Sequence, residues 1–386
     1  MAVFNTDFYT HIDVKSFTGH KDEVNCVAFS PDFEILVTGS DDERTRVFNT
    51  STGKMVVRLK GQQGAIRCVA VSPDSKYIAS GSFDKSVALY RTCNAELTHK
   101  LTAHLKSVES VLFSPCSTLL CTTSWDRTGI LWQVETGHML RLFQGHKGLV
   151  QCSAFSPCMR MLATGSWDYT VRVWPLKRSM SEEHIQELCA HKSNVHAVVF
   201  SCHNILASGS WDKQIILWNP YNGEMLFCLK GHEGWVQALC FSTDGYLLAS
   251  AADDDMVKVW SVSNGSCLKT LEGRTDGSSH CGFHPSGALV ASGSATSTLS
   301  LENKLSTEMT IPGEPPHKLV GEEILDRVTE KAKTRPQSAI GVSSAPSCTV
   351  RKERPRTAGT TSSKADLQPL KLSNVERWLT SSCQRL

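Results

Sequence analysis

The sequence lacks several features that would point to particular classes of protein. No CxxC pair and no short Cys/His cluster occurs among its 15 cysteines, so it predicts neither a zinc site nor a disulfide framework. The first residues, MAVFNTDFYTHIDVK, contain no cationic region followed by an apolar core. No stretch of the chain approaches the length of a membrane span. We therefore expect a reduced, cytoplasmic protein without a membrane segment.

A strong net charge is also absent. The chain has 386 residues with 40 Lys+Arg and 38 Asp+Glu, a formal charge of +2, which argues against nucleic acid or an anionic membrane as a partner. The charge is unevenly distributed, however. Up to Glu302 there are 26 basic and 29 acidic residues, and from Asn303 onward there are 14 and 9. A slightly acidic body therefore carries a basic tail.

A repeat of about 42 residues organises most of the chain. The segment VNCVAFSPD recurs as IRCVAVSPD, VESVLFSPC, VQCSAFSPC, VHAVVFSCH, VQALCFSTD and, more divergently, HCGFHPSG. Each unit contains four short segments with the apolar pattern of strands, separated by Gly, Asn, Asp, Ser and Pro, and no helical period competes with them. Seven such units predict an all-β, seven-bladed ring. The units start near His20, Gln62, His104, His146, His191, His232 and Arg274.

Three features of the repeat carry a resemblance to a known family. They are Gly-His pairs such as Gly145-His146, a Ser-x-Asp turn, and a Trp six residues after that Asp. The chain resembles the WD-repeat (WD40) β-propeller family in these features. The resemblance implies a propeller over residues 9–304, preceded by an extension at 1–8. It also implies that each repeat supplies the outer strand of one blade and the inner strands of the next, so that residues 10–17 complete the seventh blade.

The recurring His, Ser or Thr, Asp and Trp have both a structural and a catalytic interpretation. Alternate turns of a four-stranded meander lie at the same end, so the four side chains can form a hydrogen-bond chain that satisfies a buried carboxylate. An enzyme needs one such set rather than several, so we expect no catalytic residue, no metal and no cofactor. The resemblance implies structural tetrads, which are complete in four repeats: His104, Thr122, Asp126 and Trp132; His146, Thr164, Asp168 and Trp174; His191, Ser208, Asp212 and Trp218; His232, Ser250, Asp254 and Trp260.

Three repeats depart from this pattern. The first keeps His20 and Asp42 but has Phe48 in place of the Trp, and the second has Gln62 and Tyr90. The seventh has lost the whole set and carries Arg274, Thr296 and Glu302 instead.

Aromatic residues outside the tetrads are predicted at the same end of the propeller. They suit a peptide or protein partner, because exposed Trp and Arg supply much of the binding energy of interfaces. Mutual packing that merely covers the tetrads is the alternative, since exposed aromatics alone do not prove binding. The predicted contact residues are the aromatic Phe83, Trp125, Trp167, Trp211 and Trp235 and the polar Arg67, Glu109, Gln151, His196 and Gln237.

The tail at 305–386 is rich in Ser, Thr, Pro and basic residues without an apolar period, which predicts disorder. Two short segments, 321–333 and 373–386, have helical patterns and could dock a further partner or fold back on the propeller. The RPQS and RPRT motifs predict phosphorylation at Ser338 and Thr357, and RKERPR faintly resembles a nuclear import signal, with the nucleus as the alternative compartment.

These features support three hypotheses about function, which we rank. The first is a non-enzymatic scaffold or adaptor that holds a protein or peptide on the Trp-rich end, with no small-molecule substrate, no membrane and no nucleic acid as partner. The second is a substrate receptor of a ubiquitin ligase, although the Trp-Asp-x-Arg motif that such receptors carry at the end of a strand is absent. A catalytic propeller is a distant third, because no unique set of nucleophile and base is present.

Overall fold

The chain folds into antiparallel β-sheets, one for each repeat. The computed structural model describes residues 17–176, 185–272, 278–283, 289–294 and 299–303, and from Glu272 onward it describes the backbone alone. Within these ranges there are six four-stranded sheets and one sheet with three strands, which we number as blades 1 to 7. No helix in the same ranges is long and apolar enough to cross a bilayer.

Each strand is only four to seven residues long, as the closely spaced turn residues predict. The strands of blades 1 to 3 are β1 (Val24–Phe29), β2 (Ile35–Ser40), β3 (Thr45–Asn49), β4 (Met55–Leu59), β5 (Ile66–Val71), β6 (Tyr77–Ser82), β7 (Val87–Arg91), β8 (Leu97–Leu101), β9 (Val108–Phe113), β10 (Leu119–Ser124), β11 (Gly129–Gln133) and β12 (Met139–Phe143). Those of blades 4 and 5 are β13 (Val150–Phe155), β14 (Met161–Ser166), β15 (Thr170–Pro175), β16 (Gln186–Cys189), β17 (Val195–Phe200), β18 (Leu206–Ser210), β19 (Gln214–Asn219) and β20 (Glu224–Lys230). Those of blades 6 and 7 are β21 (Val236–Phe241), β22 (Leu247–Ala252), β23 (Met256–Ser261), β24 (Cys267–Glu272), β25 (Ser278–Phe283), β26 (Leu289–Ser294) and β27 (Leu299–Asn303).

The strands of every blade pair in chain order, and the first strands of consecutive blades lie beside one another from β1 to β25. The first strands therefore line the inside of the propeller and the fourth strands form its outer edge. The all-β, seven-bladed fold predicted from the repeat is confirmed.

The core lies between neighbouring blades, and small residues allow their close approach. The second strand β14 is buried along its whole length. A Cβ atom at Gly165 in this strand would lie 2.7 Å from Cγ1 of Val195 in the next blade and 2.7 Å from the Cys152 sulfur. Real Cβ atoms do not approach other atoms so closely, so a glycine at this position of the second strand is required by packing between blades.

Blade 1 differs from blades 2 to 6 in the burial of its first strand. Val24 and Val27 are 44% and 48% exposed, whereas the residues at the same two positions of β9, Val108 and Val111, are buried. The inner strand of blade 1 is therefore less completely covered than that of blade 3.

Several predictions fall outside the described residues. They are the N-terminal extension at 1–8, the propeller limits at 9 and 304, and the tail at 305–386 with its segments at 321–333 and 373–386. Of the predicted closing strand at 10–17, only Phe17 is described, and its ring lies 5.6 Å from that of Phe48 in blade 1.

Candidate functional site

One end of the propeller, which we call the turn end, carries the loop before each first strand and the turn between the second and third strands. The turn aspartate holds these two segments together. In blade 4, Asp168 accepts hydrogen bonds from Nδ1 of His146 at 2.9 Å and from the backbone N–H of Lys147 at 2.8 Å. It also accepts one from the backbone N–H of Thr170 within the turn itself, at 3.0 Å. Each aspartate therefore fixes the position of its neighbours at the turn end.

The predicted tetrads meet in four blades. In blade 3 the distances are 2.8 Å from Nδ1 of His104 to Asp126, 2.8 Å from Nε2 of His104 to the Thr122 hydroxyl, and 2.9 Å from the Trp132 indole nitrogen to that hydroxyl. Because a carboxylate only accepts, the histidine donates from Nδ1 and accepts from the hydroxyl, which in turn accepts from the indole. The same contacts join His146, Thr164, Asp168 and Trp174; His191, Ser208, Asp212 and Trp218; and His232, Ser250, Asp254 and Trp260.

The tetrads shift the pKa values of their own ionisable groups. Burial acts to raise the pKa of the aspartates, but hydrogen bonds from the histidine and from backbone N–H groups outweigh it. The pKa of Asp126 and Asp168 therefore lies far below its usual range, and that of Asp212 and Asp254 is also lowered. Burial lowers the pKa of His232, although Asp254 acts against it. Each aspartate is thus held as an anion beside a histidine.

Blade 1 replaces the missing tryptophan with a different arrangement. His20 keeps its contacts, with Nδ1 at 3.0 Å from Asp42 and Nε2 at 2.7 Å from the Thr38 hydroxyl, while Phe48 offers no donor. The buried Arg46 donates to Asp42 at 3.0 Å. A cation from the third strand therefore joins the carboxylate, which the sequence pattern did not predict.

Blade 2 has a glutamine, Gln62, at the position where the tetrads have a histidine. The side chain of Gln62 donates to the backbone carbonyls of Ser80 and Ser86 at 3.0 Å each, and it accepts from the Ser80 hydroxyl at 2.6 Å. The Tyr90 hydroxyl donates to the carbonyl of Lys60 at 3.1 Å. The substituted residues therefore form hydrogen bonds of their own. In blade 7, Arg274 and Thr296 lie outside the described residues, and only the backbone of Glu302 is described.

The turn aromatics contact one another in two groups. Phe83 meets Trp125 edge-on, with ring centroids 6.2 Å apart. Trp211 lies 5.3 Å from Trp167 and stacks on Trp235 at 4.5 Å with an angle of 12° between the rings. Phe83 and Trp235 still expose 56% and 46% of their surface, and the other three are partly buried. Mutual packing and exposure therefore coexist at this end.

The two sets of tryptophans differ in their hydrogen bonding. The indole N–H groups of the tetrads all donate to a hydroxyl at 2.8 to 2.9 Å. Within the described part of the chain, the indole nitrogens of Trp125, Trp167 and Trp211 are buried and have no acceptor. A buried indole N–H normally has a partner. The turn tryptophans therefore carry three unused donors.

The predicted polar residues all occupy one special position, because each is the extra residue of a β-bulge at the start of a first strand. In blade 4 the pairing passes from Val150–Ser166 to Cys152–Gly165 and leaves Gln151 unpaired in the ladder. Such bulges re-aim a side chain. The sequence pattern located these residues but did not predict the bulge. In blades 2 to 6, in order, the extra residue is Arg67, Glu109, Gln151, His196 and Gln237.

The bulge residues of neighbouring blades contact one another. Arg67 lies 3.6 Å from Glu109 and 3.8 Å from Asp41 of blade 1. The His196 ring bonds to the carbonyl of Gln237 at 3.0 Å. Asp41 and Asp253, at the position of the turn tryptophans in blades 1 and 6, were not predicted as site residues. Comparing that position across all repeats would have found them.

The groups present at the turn end define which contacts it can form. Among the described residues, no group of three His, Cys, Asp or Glu side chains is placed to hold a metal ion. The His and Asp side chains repeat from blade to blade and are engaged with each other. The exposed rings and polar side chains around them can form the apolar contacts and hydrogen bonds of an interface.

Seven consecutive sheets with recurring His–Asp corners define a repeat propeller. A model of the family described as "WD domain, G-beta repeat" matches the chain at residues 12–49, 53–91, 95–133, 137–175, 182–219, 223–261 and 265–301. The chain therefore belongs to the WD40 family, whose members are generally non-catalytic protein-interaction scaffolds. From the second match onward, each match begins on the outer strand of one blade and continues through the inner strands of the next.

Short segments of other WD-repeat proteins are similar to this chain. WD repeat-containing protein 38 of Mus musculus is 46% identical over 48 residues, 12% of this chain and 16% of that protein. Nuclear distribution protein PAC1 of Ajellomyces capsulatus is 38% identical over 52 residues, 14% of this chain and 11% of that protein. Serine-threonine kinase receptor-associated protein of Gallus gallus is 36% identical over 52 residues, 14% of this chain and 15% of that protein. These likenesses cover little more than one repeat, a small fraction of each relative's length.

Proposed function

We propose that this propeller is a non-enzymatic scaffold that holds a protein or peptide segment against the aromatic residues of its turn end. The observation that carries the proposal is the contrast between the two sets of tryptophans. The indole N–H groups of the tetrad tryptophans all donate to a hydroxyl, as a structural role requires, whereas three indole donors of the turn tryptophans have no acceptor in the part of the chain that the structure describes.

An arrangement that served only to cover the tetrads would have no reason to retain these donors. An unsatisfied buried donor costs about 1 to 3 kcal/mol, and a phenylalanine would supply similar ring contacts without that cost. A partner that reorients the rings can accept from the indoles and bury the exposed rings of Phe83 and Trp235. Both changes are favourable in an interface, where Trp is among the strongest contributors to affinity.

The polar residues beside the aromatics support the same proposal. The bulge places Arg67, Glu109 and Gln151 on the first strands, next to the turns that carry the rings. The side-chain oxygen of Gln151 is buried without a partner among the described residues. Arg67 and Gln151 would orient a bound segment through hydrogen bonds, while the rings supply the apolar contact. The buried Glu109 contacts Arg67 at 3.6 Å and would hold it in place.

The experiment compares the full-length protein with the double variant Trp125→Ala/Trp167→Ala. Proteins captured from cells would be quantified by mass spectrometry, and thermal unfolding would be measured for the same preparations. The matched control is Leu140→Ala/Leu142→Ala, which removes exposed apolar side chains from the outer strand β12. We expect the turn variant to lose partners while its melting temperature stays near that of the wild type, and the control to keep them.

The opposite pattern would support mutual packing as the role of the rings. In that case the turn variant would melt at a clearly lower temperature and retain its partners.

A further inference from the structure

The turn end carries a basic zone that coincides with the aromatic residues. The zone has one or two basic side chains in each of blades 2 to 5, either in the loop after the His position or directly after the turn Asp. All are exposed, and within the described ranges none forms an ion pair. The zone consists of Lys85, Lys106, Arg127, Lys147, Lys192 and Lys213.

In the flanking blades, three of the four corresponding positions are acidic. Blade 1 has Lys21 directly after its His and Glu43 directly after its turn Asp, and blade 6 has Glu233 and Asp255 at these two positions. The described body of the chain is not basic as a whole, since it has 26 basic and 29 acidic residues up to Glu302. The basic zone is therefore a local feature of blades 2 to 5 rather than the background charge of the protein.

Several of these exposed cations stand in the turns themselves. Lys85, Arg127 and Lys213 have φ angles of 72°, 72° and 69°, in the left-handed region that a turn requires at this position. The residue before each turn Asp is an aromatic ring: Phe83, Trp125 or Trp211. Each turn thus presents a ring and a cation two residues apart.

We infer that the segment bound at the turn end is an acidic peptide with large apolar side chains. This inference rests on the proposed function and names its class of partner. The apolar side chains lie against the turn aromatics, and anionic groups pair with the basic zone. Carboxylates of Asp and Glu and the phosphate of a phosphorylated Ser share the required chemistry.

Two other occupants fit the observations less well. A single-stranded nucleic acid needs aromatic faces free for stacking, but Trp211 and Trp235 already stack on each other at 4.5 Å. Its phosphates would also meet the acidic positions of blades 1 and 6. The chain's own tail has 14 basic and 9 acidic residues from Asn303 onward, so its charge has the same sign as the basic zone.

The test uses the full-length protein and a displayed library of random 12-residue peptides. We expect the enriched peptides to combine Asp or Glu with Trp, Phe or Leu. A synthetic peptide from this pool should bind more weakly as salt is added, because exposed ion pairs are screened. Enrichment of neutral or basic peptides, or no enrichment at all, would overturn the inference.

Charge-reversal variants assign the binding to the basic zone. We expect Lys147→Glu/Lys192→Glu to weaken binding of the selected peptide by about tenfold, because attraction becomes like-charge repulsion. The matched control, Lys54→Glu/Lys76→Glu, reverses two exposed lysines that lie in turns at the opposite end of the propeller. Equal effects of the two variants would contradict the inference.

Two further arms separate the sources of negative charge. Replacing the acidic residues of the selected peptide by phosphoserine distinguishes phosphate from carboxylate, and binding of either form agrees with the inference. A labelled 12-nucleotide oligouridylate that binds more tightly than the peptides would overturn it.

If selected peptides are not acidic but still depend on Trp125 and Trp167, this inference fails while the proposed function stands. If the Trp125→Ala/Trp167→Ala variant binds the selected peptides as tightly as the wild type does, the proposed function itself fails.

Discussion

Residues of one type have two different roles in this protein, and their surroundings determine which role each one has. Trp174 ends a buried strand and donates to Thr164 at 2.8 Å, so its ring and its N–H are both used inside the blade. Trp167 lies in a turn seven residues earlier, where its ring is 5.3 Å from that of Trp211, and it has no acceptor for its N–H within the described residues. The structural role of Trp174 depends on the Thr164 hydroxyl, which lies between the histidine and the tryptophan and bonds to both.

A substitution at this hydroxyl should therefore be costly in a complete tetrad. We expect Thr164→Val to lower the free energy of unfolding by about 2 to 5 kcal/mol, because it leaves both Nε2 of His146 and the Trp174 indole N–H without a partner. The measurement is the midpoint of urea unfolding, compared with the wild type.

Blade 1 offers the matched control for this prediction. Thr38→Val removes the same hydroxyl, but Phe48 has no donor to satisfy, so only His20 loses a partner and the loss should be about 1 to 3 kcal/mol. Equal losses in the two blades would show that the tryptophan hydrogen bond contributes nothing.

The strands differ in how well their neighbours cover them. Most first strands bury their initial valine or isoleucine completely, as Val108 and Val150 show. The equivalent Val24 in β1 is 44% exposed. The strands are similar in length and sequence, so the difference lies in packing between blades rather than in local preference.

Hydrogen exchange followed by mass spectrometry should detect this difference. We expect the backbone amides of β1 to exchange at least several-fold faster than those of β9 and β13, since sparsely covered strands open at a lower free energy. Uniform protection of the three strands would contradict the prediction.

The stability of the whole propeller should decrease in acid, because several blades contain the same buried His–Asp pair. In the folded state the pKa of Asp126, Asp168, Asp212 and Asp254 is lowered from the ordinary 3.8, so their stabilising contribution is complete above that pH and is lost below it. The pKa of His232 is lowered from 6.5 by burial, so the unfolded chain gains a proton below pH 6.5 before the folded one does. Both effects destabilise the propeller as the pH falls.

We therefore expect the urea midpoint to be nearly constant above pH 7, to decrease below about pH 6.5 and to fall most steeply below about pH 4. A midpoint that is unchanged or higher at pH 5 than at pH 7 would show that these groups do not govern stability.

The architecture of this protein follows from its amino-acid sequence alone. Seven copies of one pattern each encode strands and turns through neighbouring residues, and the tetrad residues recur at spacings that place them at one end of a blade. Such information is local, so it can be read without knowledge of the other blades. The same pattern located Trp125, Trp167 and Trp211 in turns.

The surroundings of those side chains, in contrast, depend on how the blades pack together. Two contacts join residues of adjacent blades: the stacking of Trp211 on Trp235 and the contact of Arg67 with Glu109. A third contact, between the buried Arg46 and Asp42, lies within blade 1 and depends on the direction of the arginine side chain. A β-bulge and a turn with positive φ set the directions of side chains at the turn end, and the repeat pattern does not encode them in any single residue. The basic zone likewise becomes a surface only when four blades stand side by side.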